Sequence, residues 1–179
     1  MGDAQAISEL AGTVGDIDHL VLSAAVPVAG PFLEMPVEHA RRFLDNKFWG
    51  YYLTVRAFAP ALSKHGSIVM FSGNSVVRPS PGTAIIAAVN AAIEGLTRAL
   101  AVELAPLRIN AVRPGVVDTT AWARVSEEDR AELFQELSES VPVGRVGKPA
   151  DVATAVLELV NNGFSTGDVR TVDGGARLA

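Results

Sequence analysis

The stretch that most constrains this chain runs from Thr83 to Gly115, TAIIAAVNAAIEGLTRALAVELAPLRINAVRPG. Up to Leu104 it has no proline, is rich in Ala and Leu, and is long enough for about six helical turns. Ile85, Val89, Ile93, Leu96 and Leu100 recur every third or fourth position and draw one apolar stripe. Ile86, Ala87, Ala88, Ala91 and Ala92 carry apolar surface round the other sides of the first turns. That predicts a helix buried on all sides, inside a large core or against a partner subunit. Leu107 to Val112 then alternates like a strand, and Arg113-Pro114-Gly115 must end it, because proline has no N–H to give a ladder.

The rest of the chain alternates helix and strand. Asp3 to Thr13 reads as a short amphipathic helix with Gly12 near its end. After a turn at Gly15 to Asp18, His19 to Ala25 is a continuous apolar run, the pattern of a strand covered on both faces in a parallel sheet. Pro36 to Leu62 reads as helix in two pieces, opened by Pro36 near its first turn and interrupted at Gly50. Ser67 to Ser72 is the next buried strand, followed by a Gly/Ser/Pro loop through Gly82. Ser126-Glu-Glu-Asp129 resembles a capping box opening a helix with Leu133, Phe134 and Leu137. The helix Ala150 to Leu159 stops at Asn161-Asn162-Gly163, and a last strand follows. This order predicts an α/β domain with a parallel sheet of about four strands and helices on both faces.

Composition sets bounds. A chain of 179 residues, 49% apolar and 20% charged, fits one globular domain and argues against disorder. A net charge of −5 gives no reason to expect nucleic acid or an anionic membrane as partner. Without cysteine there is no thiolate nucleophile or Cys-based metal site, and His19, His39 and His65 have no metal-ligand spacing. There is no leader pattern and no long uninterrupted apolar run, so the expected location is the cytoplasm.

The segment from Ala91 to Thr119, read as AAxEGLTRALAxELAPxRxNAVxPGxVDT, resembles the centre of the short-chain dehydrogenase/reductase family. Thr166 to Gly175, TGDVRTVDGG, is similar to that family's final strand, and the likeness spans about Asp16 to Gly175. The resemblance implies a partial Rossmann-like, doubly wound fold and a hydroxyl or carbonyl oxidoreductase using NAD or NADP. It also implies site positions. The family's YxxxK helix places its Tyr at Ile86 and its Lys at Asn90, and its catalytic Ser at Gly73, beside Ser72. The Asn of its proton relay falls on Lys47 when Gly50 is aligned, with Asn46 one residue away. Leu22-Ser23-Ala24-Ala25 stands where the family has NNAG. Pro114, Gly115 and Thr119 fall in its nicotinamide-facing loop, and the segment after Ser126 in its mobile lid. The glycine-rich TGxxxGxG loop, which lets backbone approach pyrophosphate at a helix N-terminus, has no counterpart in residues 1–179, roughly two βαβ steps short of the family pattern.

Each candidate also has a structural reading. Asn90 reads as a helix-interior Asn pairing with nearby backbone or water, and Ser72 or Ser75 as hydroxyls satisfying local turns. Lys47 reads as a solvated charge on the helix Ala40 to Lys47, against the sharper reading of a buried lysine shifted towards neutrality. Asp173 belongs to the DGG turn, and Arg113 and Asp118 are placed to pair with each other. No catalytic residue or metal ligand is assigned.

Two functional readings result: an oxidoreductase by resemblance, impaired in catalysis, or a non-catalytic structural or regulatory subunit pairing with itself or with a full-length relative. The family's usual assembly predicts a homodimer or homotetramer through the helices Gly50 to Leu62 and Thr83 to Leu104. The strand Leu20 to Ala25 would lie at a sheet edge, to be covered by another chain or by Met1 to Thr13.

Overall fold

The computed structural model describes residues 3–26, 28–123 and 125–179. Its centre is a four-stranded parallel sheet whose strands lie in chain order: β1 (Ile17–Leu22), β2 (Leu62–Phe71), β3 (Arg108–Pro114) and β4 (Val169–Val172). The helices are α1 (Ala4–Val14), α2 (Val37–Leu44), α3 (Gly50–Phe58), α4 (Ala84–Glu103), α5 (Glu127–Ser140) and α6 (Pro149–Asn161). This is the doubly wound α/β arrangement that the alternation of elements predicts.

Side chains alternate across each strand, so the apolar run in β2 feeds two cores. Ile68 and Met70 point to one layer, where they meet Tyr51 and Val55 of α3 and Ile93 of α4. Val69 points to the other and joins Val112 of β3 with Val152, Val156 and Leu159 of α6. Arg108 ties β3 to the end of α6. Its guanidinium donates to the carbonyls of Leu159 (2.7 Å), Val160 (2.7 Å) and Asn162 (3.0 Å), where a cation complements the helix dipole.

The structure corrects the sequence reading in several places. Strand β1 ends at Leu22, so Ser23 to Ala25 is irregular, and Asp18, His19 and Val21 are exposed. Helix α1 lies against α3 and does not cover β1. It is opened by Asp3, whose carboxylate accepts from the Gln5 and Ala6 amides, and closed by Gly15 at φ 71°.

Nor does Gly50 break the helix. α2 runs into α3 through a π-turn, Asp45–Trp49, and Gly50 itself has ordinary helical angles. Such wide turns are rare and recur at functional sites. Lys47 sits in the middle of this one.

Within the single chain, helix α4 is not buried all round, so the core alternative of the sequence reading fails. Val89, Asn90, Ile93, Glu94 and Thr97 are buried, while Ala84, Ala88, Ala91, Gly95 and Ala99 are exposed. The helix lies in an outer layer, so only one face can meet the sheet. At 20 residues, with an 18-residue stretch of mean hydropathy 1.5, it is long and apolar enough, by composition alone, to cross a bilayer. Here its inner face packs on the sheet.

Candidate active site

In open parallel sheets, ligands bind outside the carboxyl ends of the strands. On that edge β2 delivers Ser72, Gly73 and a short turn through Asn74 to Val76, and β3 delivers Pro114 and Gly115. Helix α4 starts beside the edge and brings Ile86, Asn90 and Glu94, while the π-turn brings Lys47 from the α2–α3 side.

The positions of the proton relay are occupied by a different set of contacts. Lys47 is not solvated: it is only 5% exposed. Its ammonium donates to Asn90 Oδ1 at 2.5 Å and to the Ser72 carbonyl at 3.2 Å. Burial pushes its pKa down to about 8, because a charge in a poorly solvated place costs free energy. Asn90 pairs with side chains, contrary to the expectation of backbone or water. Its amide nitrogen donates to Ser75 Oγ at 3.0 Å while its oxygen holds Lys47. Asn46, the other candidate for the relay position, turns away and accepts from the Val26 amide at 3.0 Å.

Gly73 and Asn90 fit one another. A Cβ added at Gly73 would lie 2.6 Å from Asn90 Nδ2, well inside contact distance. That nitrogen is pinned by Ser75, so the asparagine amide fills the space a serine side chain would need. Ile86, on the first turn of α4, is half-buried and offers no titratable group.

Beneath these residues lies an ion pair that the sequence reading missed. Arg113 grips Glu94 with two parallel bonds, Nε to Oε1 at 2.8 Å and Nη2 to Oε2 at 2.7 Å. Its Nη1 donates to Thr171 Oγ1 at 3.1 Å. Ser72 Oγ donates to Glu94 Oε1 at 2.8 Å, so Ser72 serves this network and not its own turn. Burial alone would raise the Glu94 carboxyl, but the Arg113 guanidinium and the Ser72 hydroxyl together hold it below its ordinary value. The expected pairing of Arg113 with Asp118 is absent among the described residues, and Asp118 is exposed. The missed signal was on α4: Glu94 lies between Val89, Ile93 and Thr97 on the buried face, and a buried carboxylate requires a partner.

The three residues expected to face a nicotinamide share the loop leaving β3. The Gly115 amide donates to the Val172 carbonyl at 2.9 Å, and a Cβ there would meet Asp173 Cα at 2.9 Å. Glycine at 115 therefore permits β3 and the turn after β4 to touch. Thr119 Oγ1 accepts from the Ala121 amide at 3.3 Å and opens a short turn through Trp122. Pro114 closes the strand. Asp173 accepts from the amides of Gly175 and Arg177 and from the Arg177 guanidinium, so it organises the DGG turn as expected.

Two cavities lie elsewhere. One of about 620 Å³ runs along Gln135 to Pro142 near Ala179, and one of about 200 Å³ lies under Val28 to His39. Neither is lined by Lys47, Asn90 or Gly73. Among the described residues no group of His, Asp and Glu is arranged to hold a metal ion.

Comparison with known proteins agrees with this architecture. The family described as enoyl-(acyl carrier protein) reductase matches residues 3–177. Carbonyl reductase family member 4 of Danio rerio is 33% identical over 177 residues, covering 97% of this chain and 70% of that protein. L-2,3-butanediol dehydrogenase of Corynebacterium glutamicum is 32% identical over 185 residues, covering 95% and 71%. Among solved structures, a small-chain dehydrogenase in complex with NADPH superposes with a TM-score of 0.97 at 38% identity, covering 99% of this chain and 82% of that one. Aldohexose dehydrogenase of Thermoplasma acidophilum, in ligand-free form, gives 0.92 at 27% identity, covering 99% and 76%. With the sheet order, the α4–β3 segment and these relatives in agreement, the chain belongs to the short-chain dehydrogenase/reductase family of oxidoreductases.

Proposed function

We propose that this chain is an NAD(P)-type member of its family in which proton delivery by tyrosine has been lost, so that turnover of hydroxyl or carbonyl substrates is impaired. The observation that carries this reading is the packing at the relay positions. Ile86 has no proton to give, and the Asn90 amide takes the space over Gly73 that a serine would occupy. Reduction of a carbonyl needs a hydride and a proton, and a positioned general acid contributes roughly 10²- to 10⁴-fold to such a step. The family relationship supports a nicotinamide dinucleotide as the ligand, as does the NADPH complex of the solved relative. Pro114, Gly115 and Thr119 then line its approach from the β3 loop. The test is consumption of NADPH and NADH over a panel of aldehydes and ketones, and the reverse with alcohols. No rate above the protein-free control is expected, and a kcat of about 1 s⁻¹ or more, within the ordinary enzyme range, refutes the reading.

A second reading, a non-catalytic subunit that pairs with a copy of itself or with a relative, draws on the outer face of α3 and α4. Trp49 and Tyr52 stack edge to face at 5.5 Å and remain 44% and 36% exposed. On α4, Ala84, Ala88, Ala91, Gly95 and Ala99 form a smooth exposed stripe that permits close helix approach. A twofold contact through the helices Gly50 to Leu62 and Thr83 to Leu104 would cover both. The outer side of β1, with His19 and Val21 exposed, is a second candidate for pairing. Light scattering of the wild type and of Gly95→Arg separates the two contacts: a dimer lost in the variant supports the helical face, and a dimer retained removes it.

A further inference from the structure

We propose that the buried ammonium of Lys47, held by Asn90 and by the Ser72 carbonyl, is a binding group for an anionic, hydroxyl-rich dinucleotide of the NADPH class at the carboxyl edge of the sheet. This rests on the nicotinamide reading above and names the group on this chain that carries it.

Lys47 is nearly enclosed, yet both partners of its ammonium are neutral oxygens. The carboxylate in its neighbourhood, Glu94, is taken by Arg113 through two bonds. Asp45, on the same π-turn, is exposed, and Tyr51 on α3 is a buried phenol whose pKa burial raises, so it stays neutral. The edge therefore holds a positive charge that no ion pair among the described residues compensates. Burying such a charge is costly unless something opposite or strongly accepting meets it. An ammonium has three donors, and the protein engages two of them here.

Position adds to charge. Lys47 lies beside the end of β2, where ligands of open parallel sheets sit. Two residues beyond Ser72 in the chain, Asn74 Oδ1 is buried with no partner among the described residues, an acceptor suited to a hydroxyl or amide N–H. A donor and an acceptor left over at one strand end match a ligand that carries both kinds of group.

There is also a transposition. Resemblance to the family places a lysine at 90 and an asparagine at 47, whereas this chain has asparagine at 90 and lysine at 47. The two side chains touch, so exchanging them keeps one ammonium and one amide in the same contact, delivered from opposite walls.

Fluorescence titration with NADPH tests the proposal. Removing a charge-assisted contact in Lys47→Met should weaken binding about 10- to 100-fold. The exchanged variant Lys47→Asn with Asn90→Lys should stay within about threefold of the wild type. Asn90→Lys alone, which sets two ammonium groups against each other, should bind worse than the exchange. The wild type needs no folding control for a further readout. Its affinity should fall as pH rises past about 8, where Lys47 loses its proton, and Lys47→Arg should lack that step. Equal affinity for wild type and Lys47→Met overturns the proposal, as does a wild-type affinity flat from pH 7 to 9.5, or a wild type that binds no NADPH. Each of these results is separate from the turnover result, which decides the reading of impaired catalysis.

Discussion

Replacing Arg113 by Met should leave the Glu94 carboxylate buried with a single neutral donor, the Ser72 hydroxyl. The pair is well enclosed, with side chains 14% and 6% exposed, and it is bidentate. Breaking a buried pair by removing one partner costs about 3–5 kcal/mol, and Met preserves much of the packing of the arginine stem. Because Arg113 keeps some contact with water, we expect the low end, about 3 kcal/mol at pH 7. For a domain of this size that lowers Tm by roughly 6–12 °C. The pH dependence is the sharper signature. In the wild type the Glu94 carboxyl is held below its ordinary value, so its contribution is complete above the unfolded pKa of about 4.3 and is lost as pH falls through the folded one. In the variant the guanidinium is gone and burial dominates, so the carboxyl titrates above its unfolded value. The penalty then fades as the acid protonates. Urea unfolding of both proteins should show the gap closing between pH 7 and pH 4.5. A gap under about 1 kcal/mol, or one independent of pH, would refute the claim that this ion pair holds the end of β3 to α4.

The same network gives further expectations. Gly73→Ala should lose about 2 kcal/mol, since its Cβ must displace an amide held by Ser75, and most of that loss should vanish in an Asn90→Ala background, read by thermal melts of the four proteins. Lys47 has a folded pKa depressed to about 8 from 10.5, so burial of its charge opposes folding below pH 8 and ceases to do so as pH rises towards the unfolded value. The stability of the wild type relative to Lys47→Met should therefore rise between pH 8 and 10.5 in denaturant titrations. Arg108→Ala leaves the last carbonyls of α6 without their donor and should cost about 1–2 kcal/mol, with faster amide exchange confined to the end of that helix.

The strands and helices were legible because parallel sheets demand a particular grammar. Ile68, Val69 and Met70 are consecutive and apolar since alternate residues feed different helical layers. The inner face of α4 followed from spacing, since Val89 and Ile93 of the predicted stripe are buried. The exposure of α4 was not legible: periodicity reports apolar surface, and the same alanines suit a core or a smooth outer face. The π-turn was hidden as well, because Gly50 looks like a break and nothing local in DNKFW marks one extra residue per turn. That turn buries Lys47, which is why a side chain read as solvated became the site's cation. Glu94 and Arg113 lie 19 residues apart in sequence, on elements whose relative placement only the fold supplies. Charge on an apolar face was the available clue, and it named Glu94 without naming its partner.

The most direct test of impaired catalysis is to follow dinucleotide binding and consumption in one sample. NADPH is titrated calorimetrically into the wild-type chain, a mixture of aldehydes and ketones is added, and the reduced nicotinamide is followed by its absorbance. A heat of binding should appear first, followed by an absorbance that does not fall faster than in the protein-free control. Steady loss of the reduced cofactor at about one per site per second or more would contradict impaired catalysis, since Ile86, Asn90 and Gly73 would then not have silenced the reaction.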